Sequence, residues 1–290
     1  MFYTIHMNIG CHISIAGGID KAPERAADLG CEAMQIFTRS PQGGKAPELI
    51  PELIPELIQE FKLQAKSCKL QAIYIHTPYY INFASANNRI RYGSISVVRD
   101  ELERASLLGA KYVMTHLGSA GELSEKDATE KTIEMLKKTL AGYTGSAELL
   151  IENSAGAGKI IGATFSQIAE IIQGVAHPKL SGICLDTQHS FASGYDWRDF
   201  KNTLTKIDQE IGLEKIKLIH CNDSMTDCGS HKDRHEHIGK GLIDKEAFQK
   251  IVAFAEKNNI DMILETEHEK VMEDINLLKS FREKIRTEKI

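Results

Sequence analysis

Apolar and polar positions along the chain follow two alternating periods. Short apolar or β-branched runs recur at 8–11, 33–37, 72–75, 112–115, 149–151, 182–185, 217–219 and 262–264, and each reads as a buried strand. The longer stretches between them, such as 97–108 and 126–140, set apolar residues three and four apart with charges on the other face, as amphipathic helices do. Strands that alternate with helices in this way run parallel and are joined by crossovers. Eight such units predict an α/β fold, a (β/α)8 TIM barrel, whose chemistry belongs at the C-terminal ends of the strands. A chain of 290 residues suits one such barrel as a single domain over 1–290, with its core at about 8–285.

Composition narrows the class. Hydrophobic residues at 42% and charged residues at 26% are globular values, and no run approaches the roughly 18 apolar residues of a membrane helix. The first ten residues have neither a basic start nor an apolar run before a small-residue cleavage site, so a cytoplasmic address is expected. Six cysteines (Cys11, Cys31, Cys68, Cys184, Cys221, Cys228) lack any C-x-x-C pair; they read as reduced thiols, mostly small buried hydrophobes, rather than disulfides or a thiolate zinc site. A net charge of -5 argues against a generic basic nucleic-acid binder. It leaves room for a DNA enzyme whose bound metal reverses the sign locally.

The residues that follow the eight runs are His12, Thr38, His76, His116, Glu152, Asp186, His220 and Glu265. Asp and Glu (40) with His (11) make up 51 of 290 residues, so six metal-ligating types in succession at the rim of a barrel exceed chance. Alone, His76 or His220 would read as a hydrogen-bonded core histidine, and Glu152 or Glu265 as a carboxylate paired with an Arg. Together they differ, because carboxylates crowded into one barrel mouth repel one another unless divalent cations neutralise them.

Two loops add candidates. Asp186 and His189 lie three apart in Leu-Asp-Thr-Gln-His, and Asp233 and His235 lie two apart in Asp-Arg-His, on one side of an extended segment. The polar stretch 223–241 is long enough to fold back over the mouth, although by itself it reads as a surface loop. The candidate ligands are therefore His76, His116, Glu152, Asp186, His189, His220, Asp233, His235 and Glu265. At about three protein ligands per ion they suit two or three ions, and imidazole with carboxylate favours zinc or manganese. Three dications would leave such a site at about +2, which suits a phosphate.

The strings Cys-His-Ile-Ser-Ile-Ala-Gly-Gly (11–18), His-Leu-Gly-Ser (116–119), Ile-Glu-Asn-Ser-Ala-Gly (151–156), Leu-Asp-Thr-Gln-His-Ser-Phe-Ala-Ser-Gly-Tyr-Asp (185–196), His-Cys-Asn-Asp-Ser (220–224), Asp-Arg-His-Glu-His-Ile-Gly-Lys-Gly (233–241) and Leu-Glu-Thr (264–266) resemble the endonuclease IV family, over about 8–285. The resemblance implies three Zn2+, with Mn2+ an alternative at one or more positions. One ion would sit on His76, His116 and Glu152, a second on Glu152, Asp186, His220 and Glu265, and a third on His189, Asp233 and His235. Glu152, the bridging ligand, would be the catalytic carboxylate. The implied activity is that of a DNA-repair apurinic/apyrimidinic endonuclease: a metal hydroxide attacks the phosphodiester 5′ to an abasic site in double-stranded DNA, leaving a 3′-hydroxyl and a 5′-deoxyribose phosphate. By the same resemblance Tyr79 would wedge into the gapped helix, and His12 and Arg39 would contact DNA phosphate.

Two segments depart from the family pattern. Gln42 and Gly44 stand where relatives often carry Arg and Trp, which bears on DNA affinity. Pro-Glu-Leu-Ile runs three times in tandem over 47–58 and is expected to be an irregular approach to a helix over 60–68. Two rival readings remain open. A sugar isomerase or epimerase of the same barrel type would need only Glu152, Asp186, His220 and Glu265, leaving His76, His116, Asp233 and His235 unused. A metal-stabilised protein that binds damaged DNA without turnover would not nick an abasic oligonucleotide. A closed barrel gives no reason to require a partner chain, so a monomer without membrane attachment is expected.

Overall fold

The computed structural model describes residues 7–44 and 55–287. Strands β1 (Ile9–His12), β2 (Ala33–Ile36), β3 (Ala72–His76), β4 (Tyr112–Thr115), β5 (Glu148–Glu152), β6 (Leu180–Asp186) and β7 (Ile216–His220) are followed by a short pair, β8 (Asp223–Ser224) and β9 (His235–Glu236), and then by β10 (Asp261–Leu264). In the order β1-β10-β7-β6-β5-β4-β3-β2 the strands close into a barrel, and every ladder in it is parallel. β8 and β9 pair antiparallel outside it. All eight expected strands are present, with ends displaced by at most two residues.

Helices α1 (Ala22–Asp28), α2 (Pro55–Ser67), α3 (Asn88–Leu108), α4 (Glu125–Leu140), α5 (Phe165–Val175), α6 (Thr187–Ala192), α7 (Phe200–Glu210), α8 (Lys245–Asn258) and α9 (Val271–Thr287) surround the barrel. Their apolar faces meet the strands at helical spacing. In α4, for example, Ala128, Thr132, Met135, Leu136 and Leu140 are buried and Ser124 caps the N-terminus by accepting the Asp127 N–H. The last Pro-Glu-Leu-Ile unit is not irregular: its residues 55–58 lie within α2, and Ile58 is buried there. The first two units, 47–54, lie outside the described residues. All six cysteines are free thiols, and Cys11, Cys31, Cys184 and Cys221 are buried.

The alternation of strand side chains sorts the core into two parts. One large cluster lies between strands and helices, and a smaller one, Ala33, Tyr74, Tyr112, Met114, Leu150, Cys184, Leu218 and Ile263, fills the barrel itself. Tyr74 and Tyr112 stack at 6.1 Å, and the Tyr74 hydroxyl donates to Asp261 Oδ2 at 2.5 Å. Asp261 Oδ1 also accepts the Asn8 backbone N–H at 2.7 Å, so this strand carboxylate is satisfied. Gly10 permits the close approach of β1 to β2, since a Cβ there would collide with the Ala33 carbonyl oxygen. Two residues beyond Ala33, Tyr74, Met114, Leu150, Cys184, Leu218 and Ile263, on the same face, come Gln35, His76, His116, Glu152, Asp186, His220 and Glu265. Strand parity therefore stacks these polar side chains directly above the apolar filling.

Candidate metal centre

Four side chains of this layer, His76, His116, Glu152 and Glu265, line a cavity of about 380 Å³ together with His12, Tyr79, His189, Asp233, His235, Thr266 and His268. A hollow of about 420 Å³ between the N-termini of α4 and α5 is slightly larger, but none of the candidate ligands lines it. In the barrel cavity the donor atoms form three groups, each within 4.8 Å: His76, His116 and Glu152; Glu152, Asp186, His220 and Glu265; and Asp186, His189 and His235.

Glu152 stands between the first two groups. Its Oε2 lies 2.7 Å from His76 Nε2 and 3.5 Å from His116 Nε2, while its Oε1 lies 3.0 Å from His220 Nδ1 and 3.4 Å from His189 Nδ1. Asp186, fully buried, caps α6 by accepting the His189 N–H at 2.6 Å. It also faces His235 Nε2 at 3.8 Å and so links the second and third groups. Asp233 reaches the third group from the loop between β8 and β9, at 3.4 Å from both His189 Nε2 and His235 Nε2. The segment that follows β9 is pinned by the buried Asp223 carboxylate, which accepts N–H groups from Gly239, Gly241 and Ile243 as well as from Ser224. All nine predicted ligands are thus brought together.

The hydrogen bonds test whether metal ions fit. His76 Nδ1 donates to the Thr77 carbonyl at 2.6 Å, His189 Nδ1 to the Asn153 carbonyl at 3.0 Å, and His220 Nε2 to Gln35 Oε1 at 2.7 Å. A carbonyl oxygen only accepts, so each named nitrogen carries the proton and the opposite ring nitrogen is bare in the neutral ring. Each bare nitrogen faces a carboxylate, which is repulsive unless a proton or a cation lies between. His116 Nδ1 and His235 Nε2 are buried without any hydrogen-bond partner. The two 3.4 Å separations from Asp233 to His189 Nε2 and His235 Nε2 also match the spacing of two ligands on one tetrahedral ion with bonds of about 2.0–2.1 Å. The donor set fits divalent metal, with imidazoles held by carbonyls as metal-binding histidines commonly are.

The electrostatics agree. Burial opposes charge on His189, yet Asp186, Asp233 and Glu152 outweigh it and hold the imidazole well above its ordinary pKa. Burial would raise Glu152, but the surrounding His116, His220 and His189 hold it well below the carboxylate range. His116 is pushed down to about 4 by burial and His12 to about 3 for the same reason. His12 is therefore neutral at ordinary pH, lining the cavity as a hydrogen-bonding group rather than a cation.

Of the three expected DNA contacts, His12 and Tyr79 line the cavity and Arg39 does not. The Arg39 guanidinium turns away from the mouth, is 8% exposed and is bound by Glu101 and Asp100 of α3. A phosphate contact by Arg39 would therefore require the guanidinium to give up these partners. Thr38 also faces outward, donating to Glu101 Oε2 at 2.6 Å. The inward polar residue of β2 is Gln35, which counting two residues on from the apolar Ala33 would find. Spacing along the chain also misses Asn153 and Asn222: Asn222 Nδ2 donates to Asp186 Oδ2 at 2.7 Å, and Asn153 Oδ1 accepts the Asp186 N–H at 2.8 Å.

A parallel barrel with such a rim is a xylose isomerase-like TIM barrel, and the family model of that description matches residues 23–286. Two relatives called probable endonuclease 4 extend the likeness over nearly whole chains. The one from Cenarchaeum symbiosum is 35% identical over 281 residues (95% of this chain, 99% of that protein), and the one from Nitrosopumilus maritimus is 37% identical over 283 (96% and 99%). The crystal structure of endonuclease IV from Thermus thermophilus superposes with a TM-score of 0.83 at 32% identity, covering 96% of this chain and 99% of that one. The chain belongs to the endonuclease IV family and is a metal-binding nuclease of DNA repair. This membership does not favour the sugar isomerase reading.

Proposed function

We propose that the protein is a zinc-dependent apurinic/apyrimidinic endonuclease that hydrolyses the phosphodiester 5′ to an abasic site in double-stranded DNA, leaving a 3′-hydroxyl and a 5′-deoxyribose phosphate. The observation that carries this reading is the convergence of nine imidazole and carboxylate side chains into three linked groups in one cavity. His76, His116 and Glu152 would hold one ion, Glu152, Asp186, His220 and Glu265 a second, and His189, Asp233 and His235 a third, with Asp186 contacting the third group. Bound dications lower the pKa of water, neutralise the phosphate and stabilise charge on the leaving oxygen.

The protein's own side chains orient and select. Glu152 turns one oxygen to each of the first two groups, which suits it to bridge them and makes it the catalytic carboxylate of this reading. Tyr79, 65% exposed and packed edge-to-face on Phe37 at 5.3 Å, stands at the mouth as the wedge beside a missing base. Unstacking costs least where a base is absent, so recognition precedes chemistry. Neutral His12 would donate a hydrogen bond to phosphate.

A single barrel domain acting as a cytoplasmic monomer completes the proposal; among the described residues no helix is long and apolar enough to cross a membrane. The test combines metal analysis of the purified protein with incision of an abasic duplex before and after chelation. About three ions per chain and a chelator-sensitive nick are expected. An intact duplex at full metal loading would sink the nuclease reading.

A further inference from the structure

Gln35, on β2, is a fully buried carboxamide inside the barrel mouth. Its Nε2 lies 2.7 Å from Glu265 Oε1 and 2.9 Å from His12 Nδ1, and its Oε1 lies 2.7 Å from His220 Nε2. A carboxylate only accepts, so the amide nitrogen must face Glu265 and the oxygen must face His220. His220 then carries its proton on Nε2, and its Nδ1 lone pair turns to Glu152 Oε1 at 3.0 Å and Glu265 Oε2 at 3.3 Å. The second amide hydrogen meets His12 Nδ1, which leaves the His12 proton on Nε2.

We propose that Gln35 is a positioning residue of the metal centre, whose one amide fixes the tautomer of His220, the rotamer of Glu265 and the tautomer of His12. The inference rests on the metal-binding reading above. Each partner is divided by the amide into an atom held by Gln35 and an atom left for the site: Nε2 and Nδ1 of His220, Oε1 and Oε2 of Glu265, Nδ1 and Nε2 of His12. Three elements, β1, β7 and the end of β10, are thereby set from a fourth. An apolar side chain of the same length would strand the His220 N–H and a Glu265 oxygen without partners. Glu at this position would keep the shape but set a carboxylate against Glu265.

Two measurements test it. In a structure of the zinc-loaded wild-type protein, His220 is expected to meet its ion through Nδ1 with Gln35 still on Nε2; binding through Nε2, or an amide swung away, overturns the proposal without recourse to any variant. Gln35→Met and Gln35→Glu, dialysed beside wild type against graded chelator, are expected to lose one ion at a chelator activity about 10–100-fold lower, the usual cost of removing such a support. Glu should do no better than Met. Variants that fold and keep every ion as firmly as wild type overturn the role of Gln35 alone. A wild-type protein that keeps no ion sinks the metal reading beneath it.

Discussion

Asp186 accepts the backbone N–H of His189 at 2.6 Å, so the carboxylate that opens the Asp-Thr-Gln-His run caps the short helix that carries the histidine. The same side chain takes the Asn222 amide on its other oxygen and faces His235. One residue thus serves local folding and the candidate metal centre, and the two roles separate by substitution. Asn caps a helix about as well as Asp, whereas Ala costs about 1 kcal/mol. Asp186→Asn is expected to melt close to the wild type in metal-free form while incision of an abasic duplex falls on the order of 100-fold or more. Asp186→Ala should lose stability as well. Wild-type incision by the Asn variant would remove Asp186 from the metal centre.

Glu152→Gln tests the bridge. Glutamine keeps the size of the side chain but exchanges one carboxylate oxygen for a donor, at a point where four imidazoles converge within 3.5 Å. The variant is expected to fold, to retain fewer ions than wild type and to lose nearly all activity. Because groups that act as a unit are not additive, combining it with Asp186→Asn should add little further loss. Retention of the wild-type rate would discredit the bridging role.

Glu32 offers a pH-dependent test away from the cavity. Burial alone would raise its carboxyl, but Arg282, the Ile9 N–H and Lys279 outweigh burial and hold it below the usual value. Arg282 grips both oxygens, at 2.6 and 2.8 Å. With the folded pKa below the unfolded one, the folded state favours the ionised form, so the stabilisation is complete above about pH 4.3 and is lost as pH falls through the lowered folded value. Glu32→Gln is expected to cost about 1–3 kcal/mol near neutral pH, measured by urea unfolding. The difference from wild type should shrink toward zero on acidification; a constant difference would mean that charge is not its source.

The strand ends alone bring most of the site into view. Period-two strands converge at one rim, so His76, His116, Glu152, Asp186, His220 and Glu265 have to share a mouth once eight strands are recognised. The failures have local causes. Extending β2 one residue too far, to Phe37, brings Thr38 forward and hides Gln35, because a slip of one residue reverses the face. The pairing of Arg39 escapes the sequence because its partners Asp100 and Glu101 sit on α3, and spacing along a chain says nothing about pairing across that distance. Proline at 55 reads as a helix breaker, yet the unit it begins lies within α2.

Tyr79 separates recognition from stability. Its ring is largely exposed and rests edge-on against Phe37, with no other aromatic ring than His76 within 6.4 Å among the described contacts. Truncation should therefore change folding stability by only about 0.5 kcal/mol and leave the metal content intact. If the ring stacks in the gap left by a missing base, its loss costs about 1–3 kcal/mol of binding, or about 5–150-fold in affinity. Fluorescence anisotropy at one fixed salt concentration, with a catalytically silent Glu152→Gln background to prevent cleavage, should show Tyr79→Ala binding an abasic duplex that much more weakly. Affinity for an intact duplex, where no gap receives the ring, should change far less. Equal losses on both duplexes would make Tyr79 a general contact and not the reader of the lesion.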